Sequence, residues 1–183
     1  MPTLVNAETD EREALLSFLA AQRGGLRRAV HGLTEEQAAG TPSVSALSLT
    51  VLIKHAARCE RFWIADNLMG RGADNGRDGN DWADEYRLTE GDTLAAWLET
   101  YEQVAAETEK AVRSLPDLEV DFPLPVAPWF PPNSRRSARW VLLHLIQEGA
   151  RHAGHADIIR ESIDGKTAFE LVDEVAAAEA PAA

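Results

Sequence analysis

Apolar positions recur every three to four residues in four long segments, which span residues 8–30, 48–70, 89–116 and 137–165. This spacing places the apolar side chains on one face of a helix and predicts four amphipathic helices. No stretch alternates convincingly between apolar and polar residues, as a half-buried strand would. The pattern therefore predicts an all-α fold, a four-helix bundle with long crossover loops.

Local signals mark where several of these helices begin and end. Ser137 suits the N-cap of the fourth helix, and Gly165 suits the position just past its end. A capping pattern at Thr89 predicts the start of the third helix. Thr34 and Gln37 have the spacing of a capping box, which predicts an additional short helix or turn after the first long helix.

Two connections and both chain ends lack a helical pattern. Residues 71–87 are rich in Gly, Asp and Asn and predict a loop. Residues 117–136 contain several prolines, which exclude a regular helix and predict a long loop of the kind that often serves as a lid. Residues 166–174 predict a strand or an extended arm, whereas residues 1–7 and 175–183 predict frayed ends.

Length and composition narrow the class of protein. A chain of 183 residues with 45% hydrophobic residues suits one globular domain, and we assign residues 1–183 to a single domain. The net charge of −12 opposes binding to nucleic acid or to anionic membrane surfaces. The single cysteine excludes an internal disulfide, and we find neither a signal peptide nor an apolar run of ~20 residues. We therefore expect a cytoplasmic protein.

The candidate chemistry lies on the fourth helix. His144, Glu148, His152 and His155 fall within roughly 80° of arc on one otherwise apolar face. Burying such groups without partners is costly, and a divalent metal ion is the simplest partner that satisfies several of them at once. His55, on the apolar face of the second helix, is placed where a ligand from across the bundle would come from.

One ion cannot bind all four groups of the fourth helix, because the helix rises about 16 Å from His144 to His155. Glu148 and His152 are four residues apart, so their side chains can meet at one point, either at a metal or as a surface ion pair. The third ligand must come from elsewhere, and His155 is the main competitor of His55. His144 suits the core or a place beside the ligands.

Two neighbours of His55 leave alternatives open. Cys59 lies one turn further along the same helical face, where it is either a fourth ligand or a small buried hydrophobic residue, and we favour the second. Glu60 either orients His55 or faces solvent.

The segments LLHLIQEGARHAGHADIIRESIDG and LIKHAARCERFW resemble the DinB superfamily, and most closely the mycothiol-dependent S-transferases of actinobacteria. The second segment carries the pattern H-x-x-x-x-E-R-F-W from His55 to Trp63. The resemblance implies a DinB-like four-helix bundle with a divalent metal held by His55, Glu148 and His152. It also implies a pocket-facing position for His155 and a homodimer as one possible assembly.

The activity implied by this resemblance is transfer of a low-molecular-weight thiol, mycothiol, to an electrophile. Two His and one Glu with open positions describe a catalytic site, for which Zn²⁺ is the first expectation and Ni²⁺, Fe²⁺ or Mn²⁺ are alternatives. A bound cation lowers the pKa of a coordinated thiol. Two other functions stay open: a maleylpyruvate-isomerase-like or hydrolytic metalloenzyme of the same fold, and a non-catalytic stress protein.

Several further residues are candidates for a pocket around the metal, although core aromatic residues and exposed loop arginines are the ordinary alternatives. Arginines would meet the carboxylate or the sugar hydroxyls of the thiol, and aromatic rings would line its pocket. No pattern of a protein nucleophile is present. The candidates are His155, His144, Cys59, Trp63, Trp129, Trp140, Arg135 and Arg136.

Overall fold

The structure is a computed structural model that describes residues 5–72, 85–124, 126, 128 and 130–180. Trp129 and most of the predicted loop at residues 71–87 lie outside the described residues. The elements are, in chain order, α1 (Glu11–Ala29), α2 (Glu35–Ala39), α3 (Leu49–Arg61), a π-helix (Phe62–Leu68), α4 (Leu94–Ser114), β1 (Asp121–Pro123), β2 (Arg135–Ser137), α5 (Ala138–Asp164) and α6 (Ala168–Glu179).

The predicted four-helix bundle is confirmed, with α1 packed along α5 and α3 packed along α4. Apolar residues of these helices form two separate clusters, one towards each end of the bundle. On α1 and α5, polar residues lie between members of the two clusters, with Arg23 between Leu19 and Leu26 as one example. The middle of the bundle therefore holds a polar layer. Among the described helices, none combines the length and apolar character needed to cross a membrane.

Small residues allow α1 and α5 to approach closely beside this polar layer. A Cβ atom at Gly149 would lie only 2.8 Å from the Cβ of Gln22, and one at Gly25 would lie 3.2 Å from the Cβ of Ala153. Larger side chains would force the two helices apart. Because Gly149 directly follows Glu148, this contact also sets the depth of Glu148 in the bundle.

Most of the predicted helix ends are confirmed, because capping depends on neighbouring residues in the chain. Ser137 Oγ accepts a hydrogen bond from the Trp140 amide, and Gly165 ends α5 with a φ of 79°. Thr34 and Gln37 form the predicted capping box of α2.

The predicted start of the third long helix is wrong. Thr89 and Asp92 do bond to each other, but they form a turn before the helix, and Thr93 is the N-cap of α4. Asp92 also accepts hydrogen bonds from Lys54 and Trp97, so tertiary contacts hold this turn apart from the helix.

The second long segment changes its winding at Phe62, where α3 continues as a π-helix to Leu68. Asn67 Nδ2 donates to the carbonyl oxygen of Phe62 at 2.7 Å, within the wider turns. The change turns Trp63 and Ile64 into the core. The sequence predicted one uniform helix, and π-helical turns of this kind often occur at functional sites.

The proline-rich connection contains a two-stranded antiparallel sheet that the sequence did not predict. Asp121 pairs with Ser137, and Pro123 pairs with Arg135. The strands are three residues long, too short to show an alternating pattern.

The C-terminal segment corrects another expectation, since residues 168–179 form α6 rather than an extended arm with a frayed end. Thr167 and Glu170 form a capping box, and Leu171 and Val175 are buried. The helix packs on α1. Its short apolar stripe gave too weak a periodic signal to recognise.

Candidate metal centre

Three side chains from two helices converge in the polar layer. His55 of α3 and Glu148 and His152 of α5 each present a ligand atom, and these atoms lie within 4.8 Å of one another. The rings of His55 and His152 meet edge to face with centroids 4.7 Å apart. Both histidines are buried, whereas the Glu148 side chain is 23% exposed, so the group opens to solvent on the Glu148 side.

Glu85 contacts one of the two ring nitrogens of His55. Its Oε2 lies 3.2 Å from His55 Nδ1, and both side chains are buried. A carboxylate only accepts hydrogen bonds, so this contact favours the tautomer with the proton on Nδ1, in which Nε2 keeps a lone pair. That Nε2 is fully buried and has no hydrogen-bond partner within the part of the chain that the structure describes.

His152 is placed between a carboxylate and another imidazole. Its Nε2 lies 3.5 Å from Oε2 of Glu148, and its Nδ1 lies 3.4 Å from Nδ1 of His155. Burial, together with the nearby His55, lowers the pKa of His152 to about 4 despite the opposing effect of Glu148. The ring is therefore neutral at pH 7, which is the form that binds metals.

The donor set fits a divalent cation. Two imidazole nitrogens and one carboxylate oxygen are the ligands of many catalytic zinc sites. The orphaned Nε2 of His55 is the strongest observation, because an unpaired buried acceptor is costly unless something binds it. Ligand atoms that share one tetrahedral ion lie about 3.4 Å apart, so atoms that now lie up to 4.8 Å from one another would have to move closer together by about 1 Å or more.

A small pocket that opens to solvent adjoins the three side chains. Leu19, Cys59 and Tyr101 form part of its wall. The Cys59 sulfur is not one of the converging ligand atoms, so Cys59 lines the cavity rather than completing the group. Sequence reasoning had favoured Cys59 as a small hydrophobic residue.

Glu60 follows neither of the two roles expected from the sequence. It is buried and forms a two-pronged ion pair with Arg23 of α1, with Oε1 2.6 Å from the Arg23 Nη2. It lies on the cavity wall beside Tyr101, whose pKa is raised by burial and by the nearby Glu60 carboxylate. The ion pair connects α1 to α3 beside the pocket. The carboxylate that contacts His55 belongs to Glu85 instead.

His144 belongs to a different group, which we call the aromatic cluster: Trp63, Phe130, Trp140 and His144, with Arg136 against it. The His144 ring stacks on Trp140 with centroids 5.0 Å apart and meets Trp63 edge to face at 5.1 Å. Phe130 packs against Trp63, and the Arg136 guanidinium lies 5.0 Å from the Trp140 ring. Burial lowers the pKa of His144.

The remaining candidates are distributed differently. Arg135 forms a two-pronged ion pair with Asp121 in the small sheet, where both side chains are exposed. His155 contacts His152, as described above. Trp129 lies outside the described residues. A pocket role for the aromatic cluster, and for Arg135 and Arg136, stays a prediction.

Sequence reasoning offered Tyr86 only as an aromatic residue that could pin the predicted loop, and it missed both Glu85 and the contact of Tyr86 with His55. Tyr86 stacks on His55 with ring centroids 4.8 Å apart, and burial raises the pKa of Tyr86, with smaller contributions from Glu148 and Glu85. Both residues lie at the end of a stretch of sequence rich in Asp, and the local pattern does not indicate that either would contact His55. Only the packing of this segment on α3 shows that they matter.

Comparisons with known proteins agree with the fold and with the family resemblance. The sequence model of the mycothiol-S-transferase family matches residues 14–165. A crystal structure of a conserved protein from Enterococcus faecalis is similar in fold, with a TM-score of 0.65 and 16% identity. The similarity covers 87% of this chain and 100% of that chain. No curated protein matches this sequence significantly.

Proposed function

Because the chain belongs to the mycothiol-S-transferase family, we propose that it is a metal-dependent mycothiol S-transferase in which His55, Glu148 and His152 hold the metal. The observation that carries the proposal is the buried Nε2 of His55, which has no hydrogen-bond partner among the described residues and belongs to a side chain that converges with the other two. A metal ion bound there would satisfy this nitrogen and leave positions open on the solvent side. Zn²⁺ is our first expectation for its identity.

The charge of the site suits thiol activation. Two neutral imidazoles and one carboxylate leave a divalent ion with a net positive charge. A cation held by these three side chains would lower the pKa of a coordinated thiol from its usual value of about 8.5, so that thiolate would be available at neutral pH. Burial keeps His152 neutral. Glu85 contacts Nδ1 of His55, and His155 contacts Nδ1 of His152.

The substrates approach from the Glu148 side, because Glu148 is the least buried member of the group. Tyr86 is half exposed and covers one face of His55 beside this opening. The thiol sulfur forms a bond to the electrophilic carbon, the leaving group departs with its electron pair, and the thiol proton passes to solvent. The protein contributes orientation and a partly dry cavity.

The test measures conjugation of mycothiol to monochlorobimane by protein purified without a His tag and loaded with Zn²⁺. We expect conjugation well above the uncatalysed rate for the wild type and none above it for His152→Ala. His31→Ala is the matched control, because it removes an imidazole outside the site and should keep full activity.

The outcomes separate the functions. Absence of conjugation with Zn²⁺, Ni²⁺, Fe²⁺ and Mn²⁺ would overturn the transferase proposal. Thiol-independent turnover of maleylpyruvate-type substrates or of hydrolysable esters would instead favour the isomerase or hydrolase. A protein that binds neither metal nor mycothiol would point to the non-catalytic alternative.

A further inference from the structure

We propose that Glu85 is a positioning residue for the metal centre: it fixes the tautomer and the orientation of His55 before any metal binds. It does so from a segment that we call the strap, residues 85–92, which α3 holds in place. The inference rests on the proposed metal role of His55. It assigns a role at the metal centre to a residue that lies outside the helices of the bundle.

The first step is the hydrogen bond between the Glu85 carboxylate and His55. Oε2 lies 3.2 Å from His55 Nδ1, while Oε1 lies 3.2 Å from the Arg58 Nε on the next turn of α3. Each carboxylate oxygen thus contacts a different α3 side chain, which prevents the carboxylate from rotating. With Nδ1 as the donor, Nε2 is the nitrogen left to act as the ligand atom of His55 in the group formed with Glu148 and His152.

The second step is the stack of the next residue on the same imidazole. The Tyr86 ring lies 4.8 Å from the His55 ring with an interplanar angle of 27°. Glu85 therefore holds the edge of the ring and Tyr86 holds its face. Two consecutive residues restrict both the rotation of the imidazole in its plane and its tilt.

The third step is the anchoring of the strap to the residue beside His55. Lys54 Nζ donates to the Arg87 carbonyl oxygen at 3.1 Å and to Asp92 Oδ2 at 2.7 Å. Although burial raises the pKa of Asp92, its hydrogen bonds with Lys54, Thr89 and Trp97 lower it to about 2. Lys54 is buried, so the ion pair is strongly favoured over separation. Consecutive residues of α3 thus bind both ends of the strap.

The test compares Glu85→Ala and Glu85→Gln with the wild type in two measurements. Long-range ¹H–¹⁵N spectra of the metal-free protein report the tautomer of His55, and competition titration with a chromogenic chelator reports Zn²⁺ affinity. Glu90→Ala is the matched control, because Glu90 is an exposed carboxylate of the same strap. Far-UV circular dichroism checks that each variant keeps its helices.

We expect protonated Nδ1 on His55 in the wild type and its loss in Glu85→Ala, with Zn²⁺ affinity lower by about 100-fold. Glu85→Gln keeps an oxygen acceptor but loses the charge, so its affinity should fall by about 10-fold. Glu90→Ala should match the wild type in both measurements. Should Glu85→Ala fail to fold, Glu85→Gln decides alone, and wild-type affinity in that variant would overturn the inference.

Failure of this inference is distinguishable from failure of the proposed function. Wild-type affinity and an unchanged tautomer in Glu85→Ala would show that Glu85 does not position His55, whatever the metal does. If the wild-type protein bound no Zn²⁺ and the Glu85→Ala variant lost the protonated Nδ1 of His55, the positioning role would be supported and the metal role overturned.

Discussion

His144 and His152 lie two turns apart on the same face of α5, yet their surroundings differ in kind. Burial lowers the pKa of both, to about 4 for His152. His144 packs as an aromatic ring between Trp63 and Trp140. His152 instead directs its nitrogens at a carboxylate and another imidazole.

The difference shows that burial of a histidine does not by itself identify a ligand. The aromatic cluster satisfies His144 through ring contacts, which are favourable between aromatic groups at about 5 Å. In the candidate metal centre the polar atoms of three side chains converge instead. The feature that separates the two regions is therefore this convergence, together with a buried His55 nitrogen that has no hydrogen-bond partner in the part of the chain that the structure describes.

The largest expected effect is the loss of metal binding when a proposed ligand is replaced. His152→Ala removes one of the three proposed ligands, and we expect Zn²⁺ affinity to fall by more than about 100-fold, with helicity retained. His55→Ala should behave alike. His144→Ala is the matched change on the same helix face and should still bind one equivalent. Elemental analysis after dialysis measures this, and equal metal content in all three variants would refute the ligand assignment.

The next effect concerns stability on the aromatic side. Trp63 is buried at the centre of the aromatic cluster, and Trp63→Ala should lower the free energy of unfolding by about 3–5 kcal/mol. Chemical denaturation of the metal-free protein measures this. Metal stoichiometry in the folded variant should stay at one. A loss below about 1 kcal/mol would mean that Trp63 is poorly packed and free to serve the pocket.

A smaller effect is the pH dependence of stability contributed by His144. Its pKa is lowered in the folded protein, so the unfolded chain takes up the proton first as the pH falls below about 6.5. The free energy of unfolding therefore decreases on acidification. His144→Phe keeps an aromatic ring but cannot titrate, so its stability should fall less between about pH 6.5 and pH 5.

Urea titrations of the metal-free proteins at several pH values measure this slope. The slope that remains in His144→Phe includes His152, whose pKa is lowered in the same direction. Identical slopes in the wild type and in His144→Phe would show that His144 is not shielded from water as the stacked geometry indicates.

The smallest effect is expected at Arg135, which was a pocket candidate from the sequence. Its ion pair with Asp121 is exposed, and such pairs contribute little to stability. Arg135→Ala should shift Tm by no more than about 2 °C and leave the KM for mycothiol unchanged. A several-fold rise in KM with unchanged kcat would show instead that Arg135 leaves Asp121 to bind the thiol.

The sequence predicted those parts of the fold that depend on local signals. Both ends of α5 were predicted because Ser137 and Gly165 act on adjacent backbone. The start of α4 was wrong because the Thr89–Asp92 turn has the same local pattern as a cap, and only its contacts with Lys54 distinguish it. The π-helix depends on packing of Trp63 and Ile64 that the periodicity does not show.

The candidate site divides in the same way. The spacing of Glu148 and His152 within one helix predicted that they could meet. The choice of His55 over His155 came from the family resemblance, because helical geometry alone left both open. Glu85 lies 30 residues from His55 along the chain, so no local pattern joins them.

The most direct test of the central claim is anomalous scattering from crystals of tag-free protein grown with Zn²⁺. We predict one strong peak per chain, bonded at about 2.0–2.2 Å to Nε2 of His55, to His152 and to the Glu148 carboxylate. A peak at other residues, or none at this group in crystals containing Zn²⁺, would contradict the account.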